Sequence, residues 1–582
     1  MVSIKGLDQC PPGTPMSVSR YSTRDLATGN WRTFRPVYAT RPSPCNLDCP
    51  AGTDVRAFLS FAADGDAEGA WRTIRAHNPL PGVCGRVCYH PCERQCNRLA
   101  LDEPVAIHAV ERAIAEEARR RRFDLAFAEG SEHTPAAVVG AGPAGLSAAH
   151  HLARRGYQVT VFDAMPEPGG MLRYGIPAYR LPRHVLDAEI DLLRAMGVRL
   201  VGDARFGANR PFDELSGYAA VFVAIGAQRS RRAGVTGEEL HGVRSGVEFL
   251  RDINLGALTP MDGQAVIVGG GNTALDAARV AVRLGARATI VYRRAREDMP
   301  AHPDEIGQAE AEGIGIMFYA APVRFISANG RVQRVECQRM RPGPPDASGR
   351  PRPEPIPGST FELPADHVFT AIGEEVEIEL LAGFLDAERG RLCADRFGRT
   401  GRPAIFAGGD AATGAGTVVD AIGSGRVAAD AIDGWLHGQD PVEQASPSPG
   451  SGQAPSTGST GSPQAGSGQA VRVGPSELNL FYFGRLARTR PQLAVPARAV
   501  TDFSEVVRDL SWDQASAEAL RCFTCGSCTA CDNCLIFCPD VAIVRDPSTG
   551  FYAIDLAHCK GCGICAAECP RGAVTLNPEE LR

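Results

Sequence analysis

No uninterrupted apolar run in this chain of 582 residues reaches membrane-spanning length. The opening MVSIKGLDQCPPG has neither the apolar core of a signal peptide nor a small-residue cleavage site. These absences predict a cytoplasmic protein with no membrane partner. No block of lysine and arginine is long enough to track a phosphate backbone, and a net charge of -6 is mild for this size, so no nucleic-acid partner is expected. Missing too is any stretch that reads as a substrate-reducing domain. No histidine, His302 included, has an identifiable catalytic partner, and each reads as structural. The length suits about three or four domains. Cysteine, by contrast, is plentiful: nineteen in a chain with no export signal point to metal ligands, because a reducing compartment keeps thiols free of disulfides.

Eight of the nineteen form two ladders at the end of the chain. Cys528, Cys531, Cys534 and Cys538 precede Pro539, and Cys559, Cys562, Cys565 and Cys569 precede Pro570. In each, two residues separate the first three thiols, three precede the fourth, and proline follows, the spacing of a bacterial two-cluster ferredoxin. Three closely spaced thiolates grip three irons of one cubane, and the fourth ligand comes from further away. Each ladder therefore lends its last cysteine to the other cluster. One 4Fe-4S cluster is assigned Cys528, Cys531, Cys534 and Cys569, the other Cys559, Cys562, Cys565 and Cys538. Zinc ribbons want four thiols rather than eight in this spacing.

Residues 1 to about 40 read as an extended arm with no legible function. A second cysteine region follows, with Cys45 and Cys49 in PCNLDCPAG and Cys84, Cys88, Cys92 and Cys96 in GVCGRVCYHPCERQCNR. The helical periodicity between them predicts a small helical domain that brings the two groups together. Six thiols are two short of two cubanes, so one cluster with two spare thiols stays open as a reading. From Ala136, AAVVGAGPAGLSAAHHLARRG is a strand running through Gly140, Gly142 and Gly145 into a helix, and YQVTVFDA is a second strand ending in Asp163. Glycines let the backbone approach a pyrophosphate at a helix N-terminus, and an acid about twenty residues on holds a ribose hydroxyl. A second fingerprint, QAVIVGGGNTALDAARVAVRLGARATIVYRRARE, carries Gly269, Gly270, Gly271 and Asn272. Its second strand ends in Tyr292, Arg293 and Arg294, cations suited to a 2′-phosphate, which favours NADPH and leaves NADH open. Residues 441 to about 470 are nearly uncharged and rich in glycine, serine and proline with a little glutamine, a tether whose root-mean-square span is on the order of 30 Å.

Several stretches together resemble the small (beta) subunit of bacterial glutamate synthase and its relatives, a family that includes the iron-sulfur flavoprotein part of dihydropyrimidine dehydrogenase. They are GRVC at Gly85–Cys88, GGMLRYGIP at Gly169–Pro177, GGGNTALDAAR at Gly269–Arg279, YRR at Tyr292–Arg294, MPA at Met299–Ala301 and IFAGGDAATGAGTVVDAIGSGRVAA at Ile405–Ala429. The resemblance implies FAD in the first nucleotide site, with Pro143, Ala144, Gly170, Met171 and Arg173 among its contacts. Gly409, Asp410, Thr417, Val418 and Ala421 would return late in the chain to close it, and Thr273 would join the nicotinamide site. It implies an α/β chain with two Rossmann-like nucleotide-binding domains, a small helical iron-sulfur domain before them, and a flexible linker and ferredoxin-like α+β domain after. The boundaries are 1–130 for the arm and helical iron-sulfur domain, 131–258 and 375–440 for the two parts of the FAD-binding domain, and 259–374 for the NAD(P)H-binding domain. The linker is 441–470, a helical lead segment 471–520, and the ferredoxin domain 521–582.

The same resemblance exposes two missing ligands. In the family a lead of the form NF-x-EV and then EA-x-RC-x-x-C-G precedes the first cluster; this chain lacks it before Cys45. It reappears after the tether as DFSEV at Asp502–Val506 and EALRCFTCG at Glu518–Gly526. By the family pattern Cys49, Cys84, Cys88 and Cys92 hold one N-terminal cluster. Cys45 and Cys96 would be completed by Cys522 and Cys525, within one chain or between two subunits of a homodimer. Four clusters then use sixteen cysteines and leave Cys10, Cys337 and Cys393 free. Otherwise Cys522 and Cys525 are spare and three clusters form. The expected activity is an oxidoreductase that takes hydride from NADPH onto FAD and passes single electrons to a protein acceptor, or the reverse. That acceptor would be a ferredoxin, a 2-oxoacid oxidoreductase or a sulfite reductase-type enzyme. The alternatives are a glutamate synthase small subunit and an electron-carrying subunit without independent turnover.

Overall fold

The computed structural model describes residues 27–123, 133–346, 349–439, 472–495 and 500–579. The tether and Cys10 lie outside the described residues. Two parallel five-stranded sheets form the centre. The first runs, in spatial order, Ile405–Ala407, Ala220–Val223, Pro135–Val139, Gln158–Phe162 and Arg199–Val201. Its strands are continuous apolar runs because helices cover the sheet on both faces, as parallel pairing through crossover helices requires. The second sheet runs Gly315–Met317, Arg287–Val291, Gln264–Val268, His367–Thr370 and Val243–Ser245. It takes the strand Val243–Ser245 ahead of residue 259, where the sequence sets its start, because that strand pairs in parallel with His367–Thr370. An antiparallel three-stranded sheet, Ala320–Ala328, Arg331–Pro345 and Pro351–Pro364, extends from it.

The helix Val418–Leu436 lies along Pro143–Arg154, and glycine makes the approach. A Cβ on Gly425 would stand 2.0 Å from the Ala144 carbonyl oxygen, and one on Gly423 2.1 Å from that of Pro50. Gly423 thus admits the Cys49–Pro50 loop of the N-terminal helical region against the same helix. That region packs Val55–Ala63, Ala67–Arg75, Pro81–Val87 and Ile107–Arg121 around Phe58, Leu59, Ile74, Leu80 and Ile114, and shares one apolar core with the first sheet.

The C-terminal segment returns to this region and to both sheets. Glu505 accepts from Arg86 (2.7 Å), Asp509 from Arg112, and the Tyr179 carbonyl from Val506 N–H (3.1 Å), while Arg283 donates to the Asp502 carbonyl (3.1 Å). Residues 471–520 contain, among the described residues, one α-helix, Trp512–Ala519, two short 3-10 helices, Pro475–Glu477 and Leu480–Tyr482, and otherwise turns and extended chain. The N-terminal arm is no free extension either. Its strand Phe34–Tyr38 pairs antiparallel with Val574–Pro578, the last strand of the ferredoxin region. No described helix is long and apolar enough to cross a membrane.

Candidate functional site

Two adjoining clefts run from the C-terminal edge of the first sheet to the start of the Val418–Leu436 helix. Asp163, Ala164 and Met165 line one end, and Gly140, Asp163, Ile225, Gly226 and Gln228 line both clefts. The other end is walled by Gly142, Pro143, Ala144, Gly170, Met171, Gly409, Asp410, Thr417, Val418 and Ala421. The glycines divide their tasks. Gly140 has φ +110°, and a Cβ there would stand 2.2 Å from the Ala224 carbonyl oxygen; a Cβ on Gly145 would stand 1.8 Å from that of Gly140. Around Gly142 there is open space, so bare backbone faces the cleft where the Pro143–Arg154 helix begins, an arrangement that suits a pyrophosphate. Asp163 is buried and accepts from Ala141 N–H (2.6 Å) and Met165 N–H (2.8 Å), which fixes the turn; burial raises its pKa against those two bonds. Asp410 is pushed up to about 6 by burial, opposed by the Gly416 N–H and assisted by nearby Glu374 and Asp420. Thr417 and Asp420 form a reciprocal cap that sets the direction of the second helix. Arg173 does not line the cleft; it donates to the Pro168 carbonyl (2.6 Å) and pairs with Asp187.

The second fingerprint repeats the geometry. Gly269 has φ +146° with a Cβ position 2.1 Å from the Ala371 carbonyl oxygen, Gly270 lies against the Tyr292 ring, and Gly271 opens outward before the helix Asn272–Arg283. Asn272 accepts from His302 N–H (3.3 Å), and Thr273 donates to Glu374 (3.1 Å). Glu374, which the sequence reading passed over, thus stands between the two nucleotide loops. The two arginines part company. Arg294 is buried, pairs with Asp346 (2.6 Å) and donates to the Pro351 carbonyl (2.9 Å); Arg293 is exposed and has no partner among the described residues.

The cysteines fall into four sets. Cys49, Cys84, Cys88 and Cys92 converge at the loops around Pro81–Val87 and Pro91–Arg94; burial first, then Glu111 at Cys88 and Glu93 at Cys92, and then neighbouring thiols hold Cys88 and Cys92 above the ordinary thiol range. Cys45, Cys96, Cys522 and Cys525 line one small cavity with Leu59, Val105, Ile107 and Phe523. Burial, Cys522 and Cys96 raise Cys45, and the Ser43 hydroxyl lies 3.2 Å from its sulfur. The segment that delivers Cys522 and Cys525 is locked by charge. Glu518 is fully buried and accepts from Ala106 N–H (2.9 Å), Thr489 N–H (2.7 Å) and Arg521 (2.6 Å). Arg521 reaches Asp102 (3.1 Å), and Arg98 donates to the Arg521 carbonyl (2.6 Å). A buried charge needs this degree of pairing. In the ferredoxin region Cys534 neighbours Cys528, Cys531 and Cys569, and Cys559 neighbours Cys538 and Cys562. Cys531 and Cys562 reach the surface. Cys337 is buried in the antiparallel sheet and Cys393 is partly exposed, both apart from the four sets.

A further group, His90, Glu93 and His108, lies beside Cys88 and Cys92. One ligand atom from each lies within 4.8 Å of the others, but Arg488 and His108 already occupy the Glu93 carboxylate (2.5 and 2.6 Å), and the two imidazoles stack with centroids 3.7 Å apart.

Residues 134–425 match the pyridine nucleotide-disulphide oxidoreductase family, residues 35–123 the dihydropyrimidine dehydrogenase domain II 4Fe-4S cluster family, and residues 552–575 the 4Fe-4S binding domain. The chain is 40% identical over 522 residues to the NADP(+)-dependent formate dehydrogenase subunit beta of Moorella thermoacetica, covering 85% of this chain and 71% of that one. It is 39% identical to the NADPH-Fe(3+) oxidoreductase subunit beta of Geobacter sulfurreducens, over 68% of this chain and 64% of that one. Against the glutamate synthase [NADPH] small chain of Escherichia coli the identity is 36%, over 67% of this chain and 88% of that one. With a glycine cradle for each dinucleotide and thiols gathered in fours, the chain belongs to the FAD- and NADPH-dependent iron-sulfur oxidoreductase family.

Proposed function

We propose that this protein exchanges electrons between NADPH and a protein partner as one subunit of a larger redox assembly, through FAD and four 4Fe-4S clusters. When bound, the flavin supplies the exchange between a two-electron hydride and single electrons, and the clusters carry electrons singly. The chain's own part is placement. Gly140 and Gly142 and the helix start at Pro143 would hold the FAD pyrophosphate, Asp163 its ribose, and Asp410 and Val418–Ala421 its far end. Gly269–Gly271 and Asn272 would hold NADPH, with exposed Arg293 rather than Arg294 at the 2′-phosphate. Glu374 accepts from Thr273 on the nicotinamide side and neighbours Asp410 on the flavin side.

One observation carries this reading. The cavity lined by Cys45, Cys96, Cys522 and Cys525 draws on both ends of one chain, and a cluster there would stand between the other sets along the chain. Cys49 follows Cys45 in the loop that leads into Pro50 and Gly423, on the flavin-side helix; Cys528 follows Cys525 after Gly526 and Ser527 and opens the ferredoxin ladders. The ferredoxin region is then a fixed outlet, fastened by this cavity and by the arm, and its exposed Cys531 and Cys562 mark the side a partner would meet. The formate dehydrogenase and glutamate synthase relatives support a partner enzyme of the kind whose chemistry this chain lacks. Anaerobic addition of NADPH tests the reading. Flavin absorbance should bleach and low-temperature electron paramagnetic resonance (EPR) signals of reduced 4Fe-4S clusters should follow in the same sample. Bleaching with no cluster signal at any time would reject it.

A further inference from the structure

The N-terminal arm places a tyrosine hydroxyl on a ferredoxin-ladder thiol. Phe34–Tyr38 pairs with Val574–Pro578 in continuous antiparallel register, with Tyr38 opposite Val574 at the end nearest the ladders. Arg32 anchors the start of the strand, donating to the Leu556 carbonyl (2.6 Å) and the Cys559 carbonyl (3.2 Å) and pairing with Glu579. With the strand so fixed, the Tyr38 ring stacks on Tyr552 (centroids 6.0 Å apart, 27° between planes), and its hydroxyl donates to Cys534 Sγ at 3.1 Å. The two ladders are copies in sequence, yet this contact has no counterpart. Cys534 and Cys565 are the third thiols of their ladders, and among the described residues no side chain donates to Cys565. Sulfurs elsewhere in the ladders receive backbone N–H groups, Cys538 from Ala542 and Cys569 from Ala573, both at 3.3 Å.

A hydrogen bond donated to a cluster thiolate stabilises the reduced form, which carries one more negative charge, and so raises the reduction potential. We propose that Tyr38 is a potential-setting residue: its hydroxyl holds the cluster ligated by Cys528, Cys531, Cys534 and Cys569 at a higher potential than it would otherwise have, and makes it unequal to its twin. This rests on the reading that the ladders hold 4Fe-4S clusters. Functionally, the cluster next in sequence to the Cys522–Cys525 cavity becomes a better electron acceptor than it would be without Tyr38, and that property depends on a strand from the opposite end of the chain. The arm is therefore a working part of the ferredoxin region.

Tyr38→Phe in the full-length holoprotein removes the hydroxyl and keeps the ring on Tyr552. Tyr552→Phe is the control, because the Tyr552 hydroxyl donates to Asp532 (2.6 Å) and, among the described residues, makes no hydrogen bond to a sulfur. Iron content should stay at the wild-type value in both. In EPR-monitored potentiometric titrations, Tyr38→Phe should move one cluster signal to more negative potential, beyond replicate scatter. That signal should be the one a Cys534→Ser variant alters, and Tyr552→Phe should move none. Intact signals with no shift in Tyr38→Phe, or an equal shift in Tyr552→Phe, overturn the assignment of Tyr38 and leave the ligand sets standing. Absence of ferredoxin-type signals from the wild type overturns the ligand sets and the assignment together.

Discussion

Gly423→Ala probes the contact between the flavin-side helix and the first cysteine loop. The new methyl would lie 2.1 Å from the Pro50 carbonyl oxygen and 2.8 Å from its carbon, both backbone atoms that cannot rotate away. Ordinary contact begins at 3.4 Å, so the loop and the helix must part by about 1.3 Å. Overpacking of this kind costs about 1–3 kcal/mol, and the better helix propensity of alanine returns up to about 1 kcal/mol. Net destabilisation of about 0–3 kcal/mol leaves the protein folded. Gly423 does not line the cofactor cleft, so FAD content and the rate of flavin bleaching by NADPH should match the wild type. Cys49 precedes Pro50 and moves with it, so rapid-freeze EPR should show slower appearance of the reduced cluster signals. Gly307→Ala is the control: it lies in the helix Pro303–Ala311 with nothing within 4 Å of its added methyl. It should leave both rates unchanged. Wild-type kinetics of cluster reduction in Gly423→Ala, at wild-type iron content, would refute the claim that this contact joins the two sites.

Arg293→Ala should raise the KM for NADPH several-fold and that for NADH little, because only NADPH loses a charge-assisted contact; equal effects on both would remove Arg293 from the site. Arg294→Ala should instead lower thermal stability, since it removes a buried guanidinium that bonds both Asp346 and the Pro351 carbonyl. Glu189 accepts from Gly82 N–H (2.5 Å), and its carboxyl is pushed up to about 7 by burial, against the pull of Arg75 and the Gly82 and Val83 amides. Its folded pKa lies above the unfolded value of 4.5, so the stability it contributes is complete below pH 4.5 and is lost as pH rises through about 7. Glu189→Gln should flatten denaturant midpoints across that window, and an unchanged slope would show that Glu189 does not titrate there.

What the sequence disclosed and what it hid divide along one physical line. Chemistry that depends on spacing within a short stretch was legible: the ladders, the two glycine turns, and the EALRC stretch that supplies Cys522 and Cys525. Contacts between distant segments were not. Nothing in FRPVY announces a strand, and its partner Val574–Pro578 is more than 500 residues away, so the arm read as functionless. Arg293 and Arg294 are indistinguishable as a dipeptide; burial and the Asp346 partner from a separate loop distinguish them. Arg173 sits inside a family motif, yet its guanidinium serves the Pro168 turn and Asp187. Glu518 and Arg521 stand in the legible EALRC stretch, but nothing within it shows that Asp102 and Arg98 face them.

The most direct test of a cubane built from both ends of the chain is iron analysis. Wild type and a Cys522→Ser, Cys525→Ser double variant would be purified anaerobically and compared by iron content and EPR. Loss of about four irons per chain, with one cluster signal gone and FAD retained, is the expected result. Unchanged iron with unchanged spectra would contradict it.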